Sequence, residues 1–415
     1  MMKKISPKSA RIGMYVLGFE GSWLKHPFWR SSFMIETAEQ LSTIREGAVS
    51  AVLIDIERGV DIQPSPEEQA APAPATTIIV ADEPMPEPVS PPTLHTPPTL
   101  AGEVSVEQEL ERARSVCLRA RGQITDLFHE ARLGKAIDSA SVLPLVDEIS
   151  QSVMRNPSAI ISLARLKTKD DYTFMHSVAV CALMIGLSRQ LGLSEEETRE
   201  AGFAGLLHDI GKMAIPLEVL NKPGRLDDHE FALVRNHPRA GADLLLDSGG
   251  VGEVQVDVAL HHHERMDGKG YPDRLAGDAI SLFSRMGAVC DVYDAITSNR
   301  PYKAGWSPCE SLRRMNQWRD GHFDERVFQA FVKTVGIYPV GSLVRLDSGR
   351  LATVVDQTDE SLLKPVVLAF FCTRSGERMS PQRIDLARPD AQDSVVGFED
   401  PARWKFPEFD RLLHA

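Results

Sequence analysis

No run of 18 or more apolar residues occurs in the 415-residue chain, so no membrane-spanning helix is expected. Lys3 and Lys4 are followed by polar and charged residues without an apolar h-region, which argues against a secretory signal. Positive charge is in deficit: 46 Lys and Arg against 58 Asp and Glu leave a net charge of −12. Such a chain lacks the basic face needed by duplex DNA or an anionic membrane, and a small anionic substrate would need positive charge concentrated locally. Cysteine is scarce. The five residues, Cys117, Cys181, Cys290, Cys309 and Cys372, are scattered and form no CxxC. That argues against a disulfide framework and against a thiolate zinc site, and suits a reducing cytoplasm. The 43% hydrophobic and 25% charged content is that of a globular protein, and the length predicts two to three domains.

Residues 1–62 read as a small α/β module, with strands over 14–18 and 51–56 and a helix over 37–44. Residues 63–100 hold 11 of the 27 prolines and no Lys or Arg, the composition of an extended linker. A connecting helix over 101–139 takes shape from about Val104, where Ser105 and Gln108 form a capping-box pair. Successive helices fill 140–336. Ser194 with Glu197, and Ser307-Pro308 with Glu310, mark two of their starts. Residues 337–415 switch to a β-rich segment whose runs 342–346, 351–355 and 365–370 form a meander. The predicted class is mainly α: a helical bundle flanked by a small α/β module and a short β-rich segment.

Seven of the 12 histidines lie between residues 176 and 263. His208 and Asp209 end an apolar helix, where desolvation is costly unless a partner compensates it. Imidazole and carboxylate are good donors for divalent first-row ions, and the two oxygens of Asp209 could bridge a pair of them. His176 follows Thr173 on a helix with an apolar face. His237 precedes Pro238 at a helix junction. His262 and His263 close a helix over 252–260, and Asp291 lies on an apolar helix over 282–298. Hydrogen bonding among these groups in a metal-free core is the competing reading. Lys212, one turn past Asp209, can face the same cavity.

The segments His208-Asp209-Ile210-Gly211-Lys212, His262-His263-Glu264-Arg265-Met266-Asp267-Gly268-Lys269-Gly270-Tyr271-Pro272, and the run from Asp291 to Arg300-Pro301-Tyr302-Lys303 resemble the HD-GYP domain, a subgroup of the HD metal-dependent phosphohydrolases. The resemblance covers about 140–335, and implies an HD-type helical catalytic domain. Met266 stands where an aromatic is common.

The resemblance further implies a metal site of His176, His208, Asp209, His237, His262, His263 and Asp291. It is expected to hold two divalent ions, Fe or Mn first, with Ni, Co or Zn also acceptable to these donors. Members with three metals carry Glu four residues before the first histidine. Here that position is Tyr172, which favours two; Asp170 and Asp171 are the counter-argument.

The implied substrate is cyclic di-GMP, opened to linear pGpG, with GMP as the alternative end product. Asp209 and Lys212 would serve catalysis. Lys212, Gly270, Tyr271, Arg300 and Lys303 would bind substrate, the last two gripping the second phosphate; Arg300 also reads as a cap on the helix carrying Asp291. The loop Gly268–Pro272 is implicated in contact with diguanylate cyclase (GGDEF) domains. A non-catalytic cyclic-dinucleotide receptor, a signalling scaffold, or a hydrolase of another cyclic dinucleotide are the alternatives. The input signal and oligomeric state have no sequence signature.

Overall fold

A computed structural model describes residues 2–21, 33–35, 41–42, 44–45, 49–56, 58–60, 104–135, 137–165, 172–220, 222, 224–298, 305–358, 361–404 and 406. They fall in two units, Met1–Pro92 and Thr93–Ala415. The first is an antiparallel sheet of β1 (Met2–Ile5), β2 (Tyr15–Gly21), β3 (Phe33–Met34) and β4 (Val49–Asp55), in the order β1-β4-β2-β3. Ile5, Met14, Val16, Val52 and Ile54 form its core. The expected strands correspond to β2 and β4. The other two carry little signal: β1 is half lysine and β3 is two residues long. The linker 63–100 and most of the expected helix 37–44 lie outside the described residues.

The second unit begins with α1 (Val106–Arg132), started by the Ser105–Gln108 capping box. Its stripe of Val116, Ala120, Ile124 and Phe128 shares one hydrophobic cluster with α2 (Ser139–Arg155), α3 (Pro157–Arg165) and α4 (Tyr172–Gln190). Glu109 is fully buried in that interface. Arg155 donates to it at 2.7 and 2.8 Å and Ser152 at 3.0 Å, which compensates the desolvation of the carboxylate.

Residues 175–188 of α4 are buried apart from Gly186, as a helix apolar on all sides must be. Packed on α4 are α5 (Glu195–Leu207), α10 (Leu282–Thr297) and α12 (Glu325–Val335). The Ser194–Glu197 capping box starts α5, and Ser307 caps α11 (Pro308–His322). Between α5 and α10 run a 3-10 turn (Ile210–Ala214), α6 (Leu217–Leu220), α7 (Asp228–Arg235), α8 (His237–Ser248) and α9 (Glu253–His261). Among the described residues no helix is long and apolar enough to cross a membrane.

Five antiparallel strands follow: β5 (Leu343–Leu346), β6 (Arg350–Asp356), β7 (Val366–Cys372), β8 (Glu377–Asp385) and β9 (Val395–Phe398), in the order β8-β7-β6-β5-β9. The expected meander is β5–β7. The outer strand β8 is mostly exposed and contains Pro381, so it lacks the apolar alternation that marks a strand. Val344, Ala352, Val354 and Val367 join the core of α1–α4. Asp356 accepts from the Val106 amide at 3.1 Å and from Asn156 at 3.3 Å, tying β6 to the start of α1.

One close approach positions the site. A Cβ on Gly211 would lie 2.0 Å from the His237 carbonyl oxygen and 2.4 Å from the Gly241 amide nitrogen. Only glycine lets the 3-10 turn after His208-Asp209 lie against the start of α8. Gly211→Ala is expected to force these backbones apart and destabilise the fold by about 1–3 kcal/mol, read by urea unfolding. An unchanged midpoint would show that the contact is not required. We propose domain limits of 1–62, 63–100, 101–139, 140–336 and 337–415. On that division a chain starting at Val104 should remain folded, since its core is its own; loss of a cooperative thermal transition would refute this.

Candidate metal centre

Five histidines and two aspartates converge from α4, α8, α10 and the C-terminal ends of α5 and α9. His176 comes from the second turn of α4, and Asp291 from the middle of α10. His208 is the residue on which α5 ends, and Asp209 leads into the 3-10 turn. His237 opens α8, while His262 caps α9 and His263 follows it. His176, His208, Asp209, His237 and His262 are at most 2% exposed.

Four of the rings are held by Nδ1. His208 donates to the Gly205 carbonyl at 2.8 Å and His237 to that of Val234 at 2.7 Å. His262 donates to the Val258 and Ala259 carbonyls at 2.9 and 3.1 Å. His176 meets the Asp294 carboxylate at 2.6 Å. Carbonyl and carboxylate oxygens only accept, so each Nδ1 carries the proton. In a neutral ring Nε2 is then a lone pair aimed inward, the arrangement that metal-ligating histidines adopt.

Asp209 stands between two sets of these nitrogens. Its Oδ2 lies 3.3 Å from Nε2 of both His176 and His208. Its Oδ1 lies 3.2 Å from Nε2 of His237 and 3.8 Å from that of His262, and has no hydrogen-bond partner among the described residues. Asp291 divides likewise: Oδ1 is 3.1 Å from His176 Nε2, and Oδ2 is 3.7 Å from His263 Nδ1. The Nε2 atoms are 3.2 Å apart in the His176–His208 pair and 3.3 Å apart in the His237–His262 pair. Two nitrogens each about 2.1 Å from one ion, at an angle of about 100°, would lie about 3.2 Å apart. Buried acceptors crowded this closely repel one another unless a cation lies among them, so the donor set fits divalent metal.

Protonation separates the two halves. Burial lowers the His176 pKa, but Asp209, Asp291 and Asp294 outweigh it and hold the ring up at about 10. Burial, with histidine neighbours, pushes His262 well below the ordinary imidazole range. Burial takes His263 down to about 3. A proton on His176 can therefore stand in for a cation in its half, whereas His262 and His263 stay neutral.

Lys212 donates to Asp209 Oδ2 from the edge of the cluster. The Tyr271 ring stacks on His263 at 4.7 Å, with the Arg235 guanidinium 4.5 Å from its centroid. Gly270 is buried; a Cβ there would lie 2.4 Å from Glu264 Cα, so the loop lies directly on the segment after His263. Glu264 accepts from the Asp273 and Arg274 amides at 2.7 and 2.9 Å and ties the far end of that loop down. His261 faces away, bonded to Asp257 at 2.7 Å and Asp273 at 3.2 Å. Arg300, Lys303, Asp170 and Asp171 lie outside the described residues, as does the Tyr172 side chain. Sequence reasoning gave no role to Asp294, Glu264 or Arg235. The available signal for Asp294 was its place one turn after Asp291, on the same helix face.

The HD domain family model matches residues 150–327, and a domain of unknown function (DUF3391) matches 2–142. A cyclic di-GMP phosphodiesterase of Pseudomonas aeruginosa is 52% identical over 413 residues, covering 99% of this chain and 95% of that protein. The cyclic di-GMP phosphodiesterase response regulator RpfG of Xanthomonas campestris is 47% identical over 150 residues, which is 35% of this chain and 39% of that one. The 3'3'-cGAMP-specific phosphodiesterase 1 of Vibrio cholerae is 38% identical over 180 residues, 42% of each chain. A solved structure, an HDG"Y"P protein from Bdellovibrio bacteriovorus, aligns over 80% of this chain and 99% of its own at 15% identity and a TM-score of 0.46. With a near-complete match at 52% identity, and the HD domain match spanning the histidine cluster, the chain belongs to the HD-GYP family of HD-domain proteins.

Proposed function

We propose that the chain is a metal-dependent phosphodiesterase that hydrolyses cyclic di-GMP, with linear pGpG or GMP as the product. The observation that carries this is the division of Asp209, one oxygen toward each histidine pair. The names of the Pseudomonas and Xanthomonas relatives support the substrate. His176, His208, Asp209 and Asp291 would hold one ion; His237, His262, His263 and the second Asp209 oxygen would hold another. Iron or manganese suits these donors first, and nickel, cobalt or zinc would also fit. Bound there, divalent ions would activate water at neutral pH and neutralise charge on the phosphodiester.

The protein's own groups orient and bind. Nδ1 hydrogen bonds fix the four rings, and Asp294 raises the basicity of His176. Lys212, a quarter exposed beside Asp209, is placed to donate to a phosphate oxygen. We assign the second phosphate to Arg300 as a bidentate fork and to Lys303 as a point charge. Gly270 acts by letting the loop lie flat on Glu264, and so sets the place of Tyr271. Cytoplasmic residence and docking of GGDEF domains on this loop belong to the same reading.

Asp209→Ala should remove metal and turnover together, by elemental analysis and nucleotide chromatography, because it deletes an oxygen from each half. Arg300→Ala and Lys303→Ala should instead lower kcat/KM about ten- to a hundredfold at unchanged metal content. Full metal and full activity in Asp209→Ala would refute the centre.

A second test uses protons. With its pKa at about 10, His176 is protonated in metal-free protein at neutral pH, and an ion taking Nε2 must displace that proton. Loading metal-stripped protein at pH 7 should release about one proton. Metal affinity should weaken as pH falls, because protons compete for the ligand. Calorimetry in two buffers of different ionisation heat measures the release, and zero protons would contradict the assignment of His176.

A further inference from the structure

The cations beside the cluster are mostly matched by carboxylates. Lys212 pairs with Asp209, Arg239 with Asp273, and Arg265 and Lys269 with Asp267. Arg235 is different. It is exposed at the end of α7, a helix with no buried residue, and has no carboxylate within ion-pair distance among the described residues. Its guanidinium is nonetheless placed, 4.5 Å from the centroid of Tyr271, which stacks on His263 at 4.7 Å. His263 is the more exposed of the clustered histidines, so His263, Tyr271 and Arg235 form a continuous wall leading out of the centre.

We propose that Arg235 reads a guanine of the substrate, donating two N–H groups to its O6 and N7. The inference rests on the cyclic di-GMP reading above. Three observations carry it. On that reading the scissile phosphate lies at metal held by the inward-facing nitrogens, and Arg235 stands one aromatic ring beyond them, on the side where a base attached to that phosphate can lie. The Tyr271 ring is already taken by His263 and the guanidinium, which leaves Arg235 as the group with free donors. The arginine fork matches the paired acceptors of guanine, whereas adenine presents an amino donor in place of O6 and is opposed by it. Resting against Tyr271 limits the freedom of the guanidinium before substrate arrives, which reduces the entropy lost on binding.

The test pairs a side chain with a single atom of substrate. The metal-loaded full chain and its Arg235→Gln and Arg235→Lys variants are assayed on cyclic di-GMP and on its 7-deazaguanine analogue, in which a CH replaces N7. Arg235→Gln is expected to lower kcat/KM on cyclic di-GMP roughly tenfold to a hundredfold with metal content unchanged. The parent should prefer cyclic di-GMP over the analogue by about fivefold or more, and Arg235→Gln should lose that preference. Lysine keeps a cation that can donate to O6 and N7 but lacks the planar fork, so it should rescue only in part. If the preference is the same in parent and Arg235→Gln, the arginine does not touch N7 and the proposal falls. This holds whether the rates stay level, or fall together as a phosphate contact would make them. A parent that leaves cyclic di-GMP intact would instead refute the reading of the centre, and shows itself before any variant is compared.

Discussion

A buried carboxylate with its two oxygens committed to different histidine pairs is the constraint on which the second unit is organised. Asp209 is 1% exposed, and lone pairs face it on both sides. Lys212 neutralises one side only, at Oδ2, while Oδ1 stays without a donor. Such a group is stable in a core when cations lie beside it. The surrounding architecture serves that arrangement. Helix ends supply histidines together with free carbonyls that fix their tautomers, and the Gly211–Gly241 contact brings α8 close enough for His237 to face Asp209.

Much of this was legible in the chain, and for identifiable reasons. Capping boxes at Ser105 and Ser194, and the Ser307 cap, are local interactions, and the structure realises each where the sequence places it. The expected helices around Asp291 and before His262 reappear within a few residues of their predicted ends. All seven candidate ligands come together, because the motif fixes their spacing and the apolar face of each helix fixes which way it turns. Strands β8 and β9 were not legible: β8 is an outer strand with polar residues, and β9 is four residues long.

Roles that depend on tertiary proximity were also hidden. Nothing in the sequence says that the proton on His176 Nδ1 goes to Asp294 while the other three rings use backbone carbonyls. The difference matters. A carboxylate behind His176, with Asp209 and Asp291 in front, makes that half rich in negative charge. The half built on His237, His262 and His263 keeps His262 and His263 neutral and shares only the second oxygens of Asp209 and Asp291. The two halves are therefore chemically unequal within one symmetric-looking cluster.

The same charges explain how an acidic chain can accept an anionic substrate. Asp209, Asp291 and Asp294 lie within one cluster, against the single ammonium of Lys212 and the proton of His176. A phosphodiester reaching that cluster without metal would meet more carboxylates than cations among the described residues that form it, in a medium of low dielectric, where repulsion is strong. Divalent metal reverses the sign. Metal loading and substrate binding are then one coupled equilibrium: the ions make the pocket attractive to phosphate, and by linkage a bound phosphodiester must tighten the hold on the ions by the same factor. Net charge of the chain does not enter, because beyond about 8–10 Å the exposed acidic residues are screened by salt. What governs affinity is the balance of charge inside the ring of helix ends, where Asp209 stands between the two histidine pairs.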